Sequence, residues 1–203
     1  MVKHLWSTLA STLALAFLVR LTVLLLSVSV LFFAEEFHQQ LLPRDPQASA
    51  AHHALLDYLR GTATLEQTSE RAALTPEEAS HIQDVKRRVN VARVLLAVLL
   101  VIVTGFVIVK PRMLDVKKAF FWSGISGIVL VIVLVVIPYD VIFTLFHASL
   151  FEQGTWLFPV GTTLANLYGG SFFQITFRAI MAVDFFMNLV ITGFAWLALR
   201  KAR

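Results

Sequence analysis

Apolar residues occur in long runs along this chain of 203 residues, and more polar stretches separate the runs. A helix needs about 20 predominantly apolar residues to cross the hydrocarbon layer of a bilayer. Four stretches meet this requirement, at residues 9–34, 91–109, 119–137 and 179–199. The pattern predicts an all-α fold, a polytopic membrane helix bundle with four transmembrane helices in one integral membrane domain.

The positions of the basic residues predict how the four spans are oriented. Lysines and arginines occur before the first span, between the second and third, and after the fourth, at Lys3, Lys110, Arg112, Lys117, Lys118, Arg200, Lys201 and Arg203. Short basic segments stay on the cytoplasmic side of a membrane. Both termini are therefore predicted to be cytoplasmic. Residues 35–90 and 138–178 are predicted to face outward and form a small extracytoplasmic cap.

Some residues within the spans also carry predictions. Arg20 interrupts the first span, and its long side chain is expected to reach the cytoplasmic interface. Asp184 lies near the outer end of the fourth span, one helical turn before Asn188. A carboxylate that faces lipid is costly, so Asp184 is expected to face other helices, as a structural contact or as a site residue. Gly124 and Gly127 are expected to permit close helix packing.

The composition excludes several classes of function. Charged residues make up 15% of the chain, below the roughly one quarter that is usual in soluble domains. The net charge of +4 forms no single basic stripe or tail, so nucleic acid is not a predicted partner. The absence of cysteine excludes disulfides and thiolate catalysis. No phosphate loop, dinucleotide fingerprint or spaced metal motif is present, so neither a cofactor nor a metal is predicted.

The outward segments differ in character. Residues 51–60 form a short amphipathic pattern that ends at Gly61, and residues 61–73 are polar and predicted to be a loop. Pro138 is expected to end or kink the third span. The segment that follows is rich in aromatic residues, at Phe143, Phe146, Phe151, Trp156, Phe158, Tyr168, Phe172 and Phe173. These rings are predicted to pack as a layer in the membrane interface, where together they can also wall an acyl-chain groove.

A clear helix start precedes the second span. Thr75 is a predicted N-cap, Pro76 takes the first helical position, and Glu78 completes a Thr-x-x-Glu capping box. The helix is expected to continue into the second span without a break. Its face carries His81, with Asp84 and Arg88 at helical spacing from it, so the carboxylate can orient the imidazole or support its charged form.

Two histidines are the candidate catalytic residues. His81 precedes the second span and His147 follows the third, which places both on the predicted outer side. Imidazole titrates near neutral pH and can act as a general acid or base. The alternative is that His81 belongs to a surface helix pair and His147 is a buried structural residue. His147 is expected to be the base, because its aromatic surroundings favour the neutral ring, and His81 is expected to hold a proton.

The sequence HIQDVK after a Thr-Pro-Glu-Glu start, followed by Phe-His and Leu-Tyr before the last span, resembles the bacterial lipoprotein intramolecular transacylase (Lit) family. The resemblance extends over most of the chain and implies that His81 and His147 are essential. It places five residues at motif positions around the two histidines: Asp84, Tyr58, Phe146, Trp156 and Tyr168. The predicted supporting residues are Asp84, Tyr58 and Arg88. The predicted residues of the substrate groove are Phe146, Phe151, Trp156 and Tyr168. Gly169 and Gly170 depart from the family, in which a proline often follows the aromatic residue.

The resemblance implies a multi-pass protein of the bacterial cytoplasmic membrane that acts on a diacylglyceryl lipoprotein. The sn-2 acyl chain would move to the α-amine of the lipidated cysteine and give the lyso-form lipoprotein. The reaction needs no covalent acyl-enzyme, because both reacting groups lie in one molecule. A different class of function, a non-catalytic membrane scaffold or lipid-binding accessory protein, is the alternative; in either case membrane lipid is a partner.

Overall fold

The structure is a computed structural model that describes residues 2–109, 115–169 and 171–201, with side chains from Ser7 onward. The regular secondary structure of these residues consists of α-helices alone. Their bounds are α1 Val2–Phe32, α2 Glu35–Gln39, α3 Pro46–Arg60, α4 Leu65–Ala72, α5 Pro76–Val109, α6 Val116–Val136, α7 Tyr139–Leu150, α8 Thr163–Tyr168 and α9 Phe172–Arg200. The predicted all-α class is confirmed.

Four of the described helices are long and apolar enough to cross a membrane. They are Ser7–Phe32 within α1, and the whole of α5, α6 and α9. The four predicted spans are therefore confirmed, although the helices extend beyond the apolar stretches. Of the basic residues used to predict orientation, Lys110, Arg112 and Arg203 lie outside the described residues, as does the side chain of Lys3.

The chain divides into two compact units. The first, called here the spanning unit, comprises the described parts of Met1–Val30, Val94–Ile137 and Arg178–Arg203. The second, called the histidine unit, comprises the described parts of Leu31–Arg93 and Pro138–Phe177.

Small residues allow two helices of the spanning unit to approach closely. A Cβ atom added at Gly124 of α6 would collide with the side chain of Thr192 and lie 2.9 Å from the backbone oxygen of Asn188, both in α9. A Cβ atom at Gly127 would overlap the Asn188 side chain. The predicted role of these glycines in close packing is confirmed.

The prediction for Arg20 is wrong, because its guanidinium is buried in an ion pair. Its Nη1 and Nη2 donate to the two carboxylate oxygens of Asp184 at 3.0 and 2.8 Å. The Asp184 carboxylate, which is fully buried, also accepts bonds from Ser27 and Asn188 at 3.2 Å each. A charge with a bidentate partner is satisfied where it lies and does not need to reach water. Asp184 therefore has the structural contact that was one of its two predicted roles.

Helix α3 lies at the core of the histidine unit. Leu55, Tyr58 and Leu59 are all buried, and they belong to one apolar cluster with Ile82 of α5 and Leu164 of α8. The amphipathic pattern seen in the sequence therefore packs against neighbouring helices. As predicted, α3 ends at Gly61, which adopts the left-handed conformation with a φ of 94° that glycine accommodates without strain.

The prediction that residues 61–73 form a loop is wrong, because α4 begins there at Leu65. Thr64 and Gln67 form a reciprocal capping box at its start. Thr68 is fully buried and donates to the backbone oxygen of Ala54 in α3 at 3.4 Å. A polar sequence can still form a helix when it is well capped and one face packs against a neighbour.

Helix α5 starts as predicted, and Glu78 makes a second contact that the sequence did not indicate. Thr75 N donates to Glu78 Oε2 at 2.9 Å, and Glu78 N donates to Thr75 Oγ1 at 3.2 Å. The other carboxylate oxygen of Glu78, Oε1, accepts a 2.6 Å hydrogen bond from the backbone N–H of Leu164, in the first turn of α8. One fully buried carboxylate therefore caps two helices. Pro138 separates α6 from α7, as predicted.

Candidate active site

His81 occupies an aromatic setting near the start of α5. The residue is 9% exposed, and its ring lies 4.8 Å from that of Phe151 and 5.4 Å from that of Phe158, between centroids. Its Nδ1 is buried and lacks a hydrogen-bond partner among the described residues. A ring held in this way is costly to charge, because neither phenylalanine can replace the hydration of an imidazolium ion.

His147 is half-buried in the last turn of α7, and its hydrogen bonding defines its tautomer. Nδ1 lies 2.8 Å from the backbone oxygen of Phe143, which can only accept, so Nδ1 carries the hydrogen. Nε2 of the neutral ring then has a free lone pair. Burial lowers the pKa of His147 below its ordinary value of 6.5, and the bond to Phe143 opposes this shift only in part. The ring is therefore neutral and basic at neutral pH.

The two histidines are brought to the same aromatic cluster. The Phe151 ring, 4.8 Å from His81, lies 5.7 Å from His147. A positive charge on His147 would lower the pKa of His81 further, in addition to the larger effect of burial. Helix α5 and helix α7 are distant in sequence, so this proximity is a property of the folded histidine unit.

The supporting residues predicted around His81 have other contacts. Asp84 forms an ion pair with Arg87 at 3.3 Å, and within the described residues it makes no hydrogen bond to His81. Arg88 is exposed. Tyr58 is buried in the α3 core, where the Lys86 ammonium lies 3.8 Å from its ring centroid. Asp84 favours the charged form of His81, as expected, but burial is the larger effect and lowers the pKa of His81 from 6.5 to about 4. The ring is therefore neutral at neutral pH, and His81 does not hold a proton there.

Three of the four predicted groove residues surround His147. The rings of Trp156, Phe146 and Phe151 lie 4.9, 5.4 and 5.7 Å from it. Phe146 is 55% exposed, so this part of the cluster presents an apolar surface. The fourth, Tyr168, does not contact either candidate histidine in the described structure. Its hydroxyl instead lies 2.9 Å from Nδ1 of His52.

Sequence reasoning assigned no role to a second group of histidines, which includes His52 and His38. His52 is 1% exposed and His38 is 5% exposed, with ring centroids 5.3 Å apart. Desolvation is the main cause that lowers the pKa of both, and it brings that of His52 to about 4. Both ring nitrogens of His38 and Nε2 of His52 lack partners among the described residues. The available signal was the helical pattern of α3, which points His52 inward and the adjacent His53 outward.

An open depression of about 630 Å³ lies beside α2, lined by residues that include Glu35 and Phe37, and neither candidate histidine borders it. Within the part of the chain that the structure describes, no three side chains of histidine, aspartate or glutamate are placed to hold a metal ion. The aromatic cluster offers imidazole nitrogens and apolar walls, which suit proton transfer beside a lipid chain.

Comparison with known proteins identifies the family. The sequence profile described as "Lipoprotein intramolecular transacylase Lit" matches residues 4–173. The fold is similar to that of the membrane integral lipoprotein intramolecular transacylase Lit from Bacillus cereus, with a TM-score of 0.78, 15% identity, and 97% of each chain covered. No curated protein sequence matches the chain.

Two further solved structures are variants of the Bacillus cereus protein in which a histidine is replaced by arginine or by alanine. Their TM-scores are 0.72 and 0.71 at 15% and 14% identity. Each covers 97% of this chain, and the alignments span 93% and 95% of theirs. These likenesses support the four-span fold, and the profile match supports an enzyme over a non-catalytic scaffold. The chain belongs to the Lit family of lipoprotein intramolecular transacylases, acyltransferases that are multi-pass membrane proteins.

Proposed function

We propose that this transacylase moves the sn-2 acyl chain of a diacylglyceryl-cysteine to the α-amine of the same cysteine, with His147 as general base and His81 as hydrogen-bond donor to the reacting carbonyl. The observation that carries the proposal is that both imidazoles contact the ring of Phe151. In a family whose reaction is acyl transfer, a pair of imidazoles beside one apolar surface can serve both the proton transfers and the developing oxyanion.

His147 is the base because its tautomer leaves Nε2 free to accept a proton. The bond from Nδ1 to the Phe143 carbonyl holds the ring in place, and the imidazolium formed during the reaction keeps that bond. The lowered pKa of His147 keeps it unprotonated at neutral pH, before the amine arrives. The role of His147 is thus the one expected from the sequence.

His81 acts as a neutral hydrogen-bond donor in this proposal, and not as a proton store. A buried ring between Phe151 and Phe158 resists protonation, but its N–H can point to an oxygen that becomes negative. The low dielectric of such a site strengthens a hydrogen bond to the oxyanion.

The steps balance without a covalent intermediate on the enzyme. The substrate amine, as the free base, attacks the sn-2 ester carbon, and His147 Nε2 removes its proton as the C–N bond forms. The carbonyl oxygen takes the negative charge and accepts a bond from His81. The carbonyl re-forms, the C–O bond to glycerol breaks, and His147 returns its proton to the leaving oxygen. The products are an amide and a glyceryl hydroxyl.

The substrate would reach these histidines from the outer leaflet, with its acyl chains against the exposed aromatic surface that includes Phe146. This arrangement requires both termini in the cytoplasm and the two outward segments joined as a cap. The basic residues in the short segments support that orientation. A large share of the acceleration would come from holding the amine beside its own ester.

The test is mass spectrometry of a reporter lipoprotein from cells that produce His147→Gln, His81→Gln or the double variant. Each single change should reduce lyso-form production by at least about 100-fold, because a general base and a hydrogen-bond donor to the oxyanion each contribute on that order. His53→Gln is the matched control, since His53 is largely exposed and pairs with Glu35. Equal amounts of folded protein are verified in the membrane. Wild-type conversion by the double variant would falsify the proposal.

A further inference from the structure

The hydrogen bond between His52 and Tyr168 joins two elements of the histidine unit. His52 belongs to α3 and is 1% exposed, and Tyr168 is the last residue of α8. The Tyr168 hydroxyl and His52 Nδ1 are 2.9 Å apart. Burial around the hydroxyl raises the pKa of Tyr168 above its ordinary value, so the phenol remains protonated and available as a donor.

We propose that His52 and Tyr168 are positioning residues for the transacylase reaction, which fix the aromatic layer that supports the His147 ring. The proposal rests on the role of His147 as the general base. It assigns a function to His52, which touches neither His81 nor His147 among the described contacts.

A continuous series of ring contacts connects the pair to His147. The Tyr168 ring lies 5.6 Å from that of Phe173 at the start of α9. The Phe173 ring lies 5.9 Å from that of Phe143, and the Phe143 ring lies 4.0 Å from that of His147 at an interplanar angle of 38°. Each step is an ordinary aromatic contact, and the Phe143 backbone also receives the hydrogen bond of His147.

Aromatic contacts fix such a layer less strictly than a hydrogen bond does, because a ring pair tolerates centroid distances of about 4.5–7 Å. A hydrogen bond fixes the distance and direction of one polar atom. Tyr168 is held at its hydroxyl by His52, and the helix that carries it is held at its first turn by Glu78. With both ends of α8 fixed, Phe173 has a defined surface to pack against.

The buried imidazole of His52 is not explained by a contribution to folding stability. His52 leaves its buried Nε2 without a partner in the described structure, and such an atom carries a desolvation cost. Leucine or phenylalanine side chains would fill the same core without that cost. The His52 imidazole therefore contributes chiefly the geometry that it imposes on Tyr168.

His52 and His147 have different charged and titratable neighbours. His52 is influenced by His38 of α2, His53 and Arg60 of α3, and Glu35 of α2. The pKa of His147 is set by burial and by its bond to the Phe143 carbonyl, and the ring across Phe151 from it is the neutral His81. A change at the His52–Tyr168 pair therefore reaches His147 through packing and hydration, and not through direct charge interaction.

The experiment measures kcat, KM and the acid limb of the pH profile with a purified diacylglyceryl-cysteine lipopeptide and the full-length protein in detergent. Tyr168→Phe removes one hydroxyl, and His52→Leu removes its partner. His52→Asn restores a polar group near the position of Nδ1, and His53→Asn is the exposed control. Thermal unfolding of each variant identifies any that fail to fold.

Tyr168→Phe and His52→Leu should each lower kcat about two- to tenfold with KM unchanged, which is the range for one lost hydrogen bond. His52→Asn should recover activity. Water that enters the loosened layer should weaken the desolvation of His147, so the acid limb should move to higher pH. The double variant Tyr168→Phe/His52→Leu should be no worse than either single variant.

Wild-type kcat and an unshifted acid limb in a folded Tyr168→Phe protein would overturn the positioning role, as would additive losses in the double variant. His147→Gln is assayed alongside to separate the two proposals. If it is inactive while Tyr168→Phe is normal, only the positioning role fails. If it retains activity, the assignment of the general base fails first.

Discussion

Replacing Asp184 with asparagine should strongly destabilise the spanning unit. The change keeps the size of the side chain, but it removes the charge that compensates the Arg20 guanidinium. Arg20 is 8% exposed and donates two bonds to this carboxylate, so the variant leaves an uncompensated cation in an apolar bundle. Breaking one partner of a buried ion pair costs about 3–5 kcal/mol. For a chain of this size that free energy corresponds to a decrease in Tm of about 6–20 °C.

The double variant Arg20→Met/Asp184→Asn tests the reason for the loss. It removes both charges, and the new amide can still bond Ser27 and Asn188, so its Tm should recover most of the difference. Replacing both members of a buried pair is often close to neutral. Ser27→Ala is the matched small change, because it leaves the ion pair intact and removes a hydroxyl that contacts Asp184 at 3.2 Å and the Val23 carbonyl at 3.0 Å. Its cost should be about 1 kcal/mol.

The assay is thermal unfolding of the purified protein in one detergent, followed by helical circular dichroism and by tryptophan emission. A wild-type Tm for Asp184→Asn would refute the burial argument. So would a double variant as unstable as the single one, because the penalty would then come from packing and not from the uncompensated charge.

Three other predictions follow from the site and from the topology. Reporter fusions at Gly61 and Lys201 should lie on opposite sides of the membrane, and finding them on the same side would contradict cytoplasmic termini. The free energy of unfolding should be constant above about pH 6.5 and fall towards pH 4. The reason is that folding lowers the pKa of His52 from 6.5 to about 4, so the unfolded chain takes up the proton first as the pH falls. Denaturant titrations across this pH range check the direction of the change. Asp84→Asn should leave the transacylation rate of the lipopeptide nearly unchanged, because Asp84 pairs with Arg87 at the surface, and a tenfold loss of rate would restore Asp84 to a direct role.

Local signals explain which parts of the fold could be predicted. Long apolar runs define spans, and the capping box at Thr75 defines the start of α5, because both are properties of neighbouring residues. Helix α4 was missed because residues 65–72 lack a strong apolar periodicity. Its cap at Thr64 is as local as that of α5, but the polar surroundings favoured a loop prediction.

Contacts between distant residues explain most of what was missed. Nothing near Arg20 indicates that its partner is Asp184, which lies 164 positions later in the chain. Tyr168 was assigned to the acyl groove because of its aromatic neighbours in sequence, whereas its hydroxyl bonds His52, 116 positions earlier. The sequence placed His81 and His147 on the same side of the membrane, which is compatible with their shared contact with Phe151.

The double cap at Glu78 has a consequence for how this protein tolerates changes in chain length. Because the Glu78 carboxylate holds the first turn of α8, the position of that helix is set from α5 and not by the connection that leads to it. Flexible loops change their closure entropy only slowly with length. The exposed stretch around Val160 can therefore gain or lose residues while Tyr168 keeps its place.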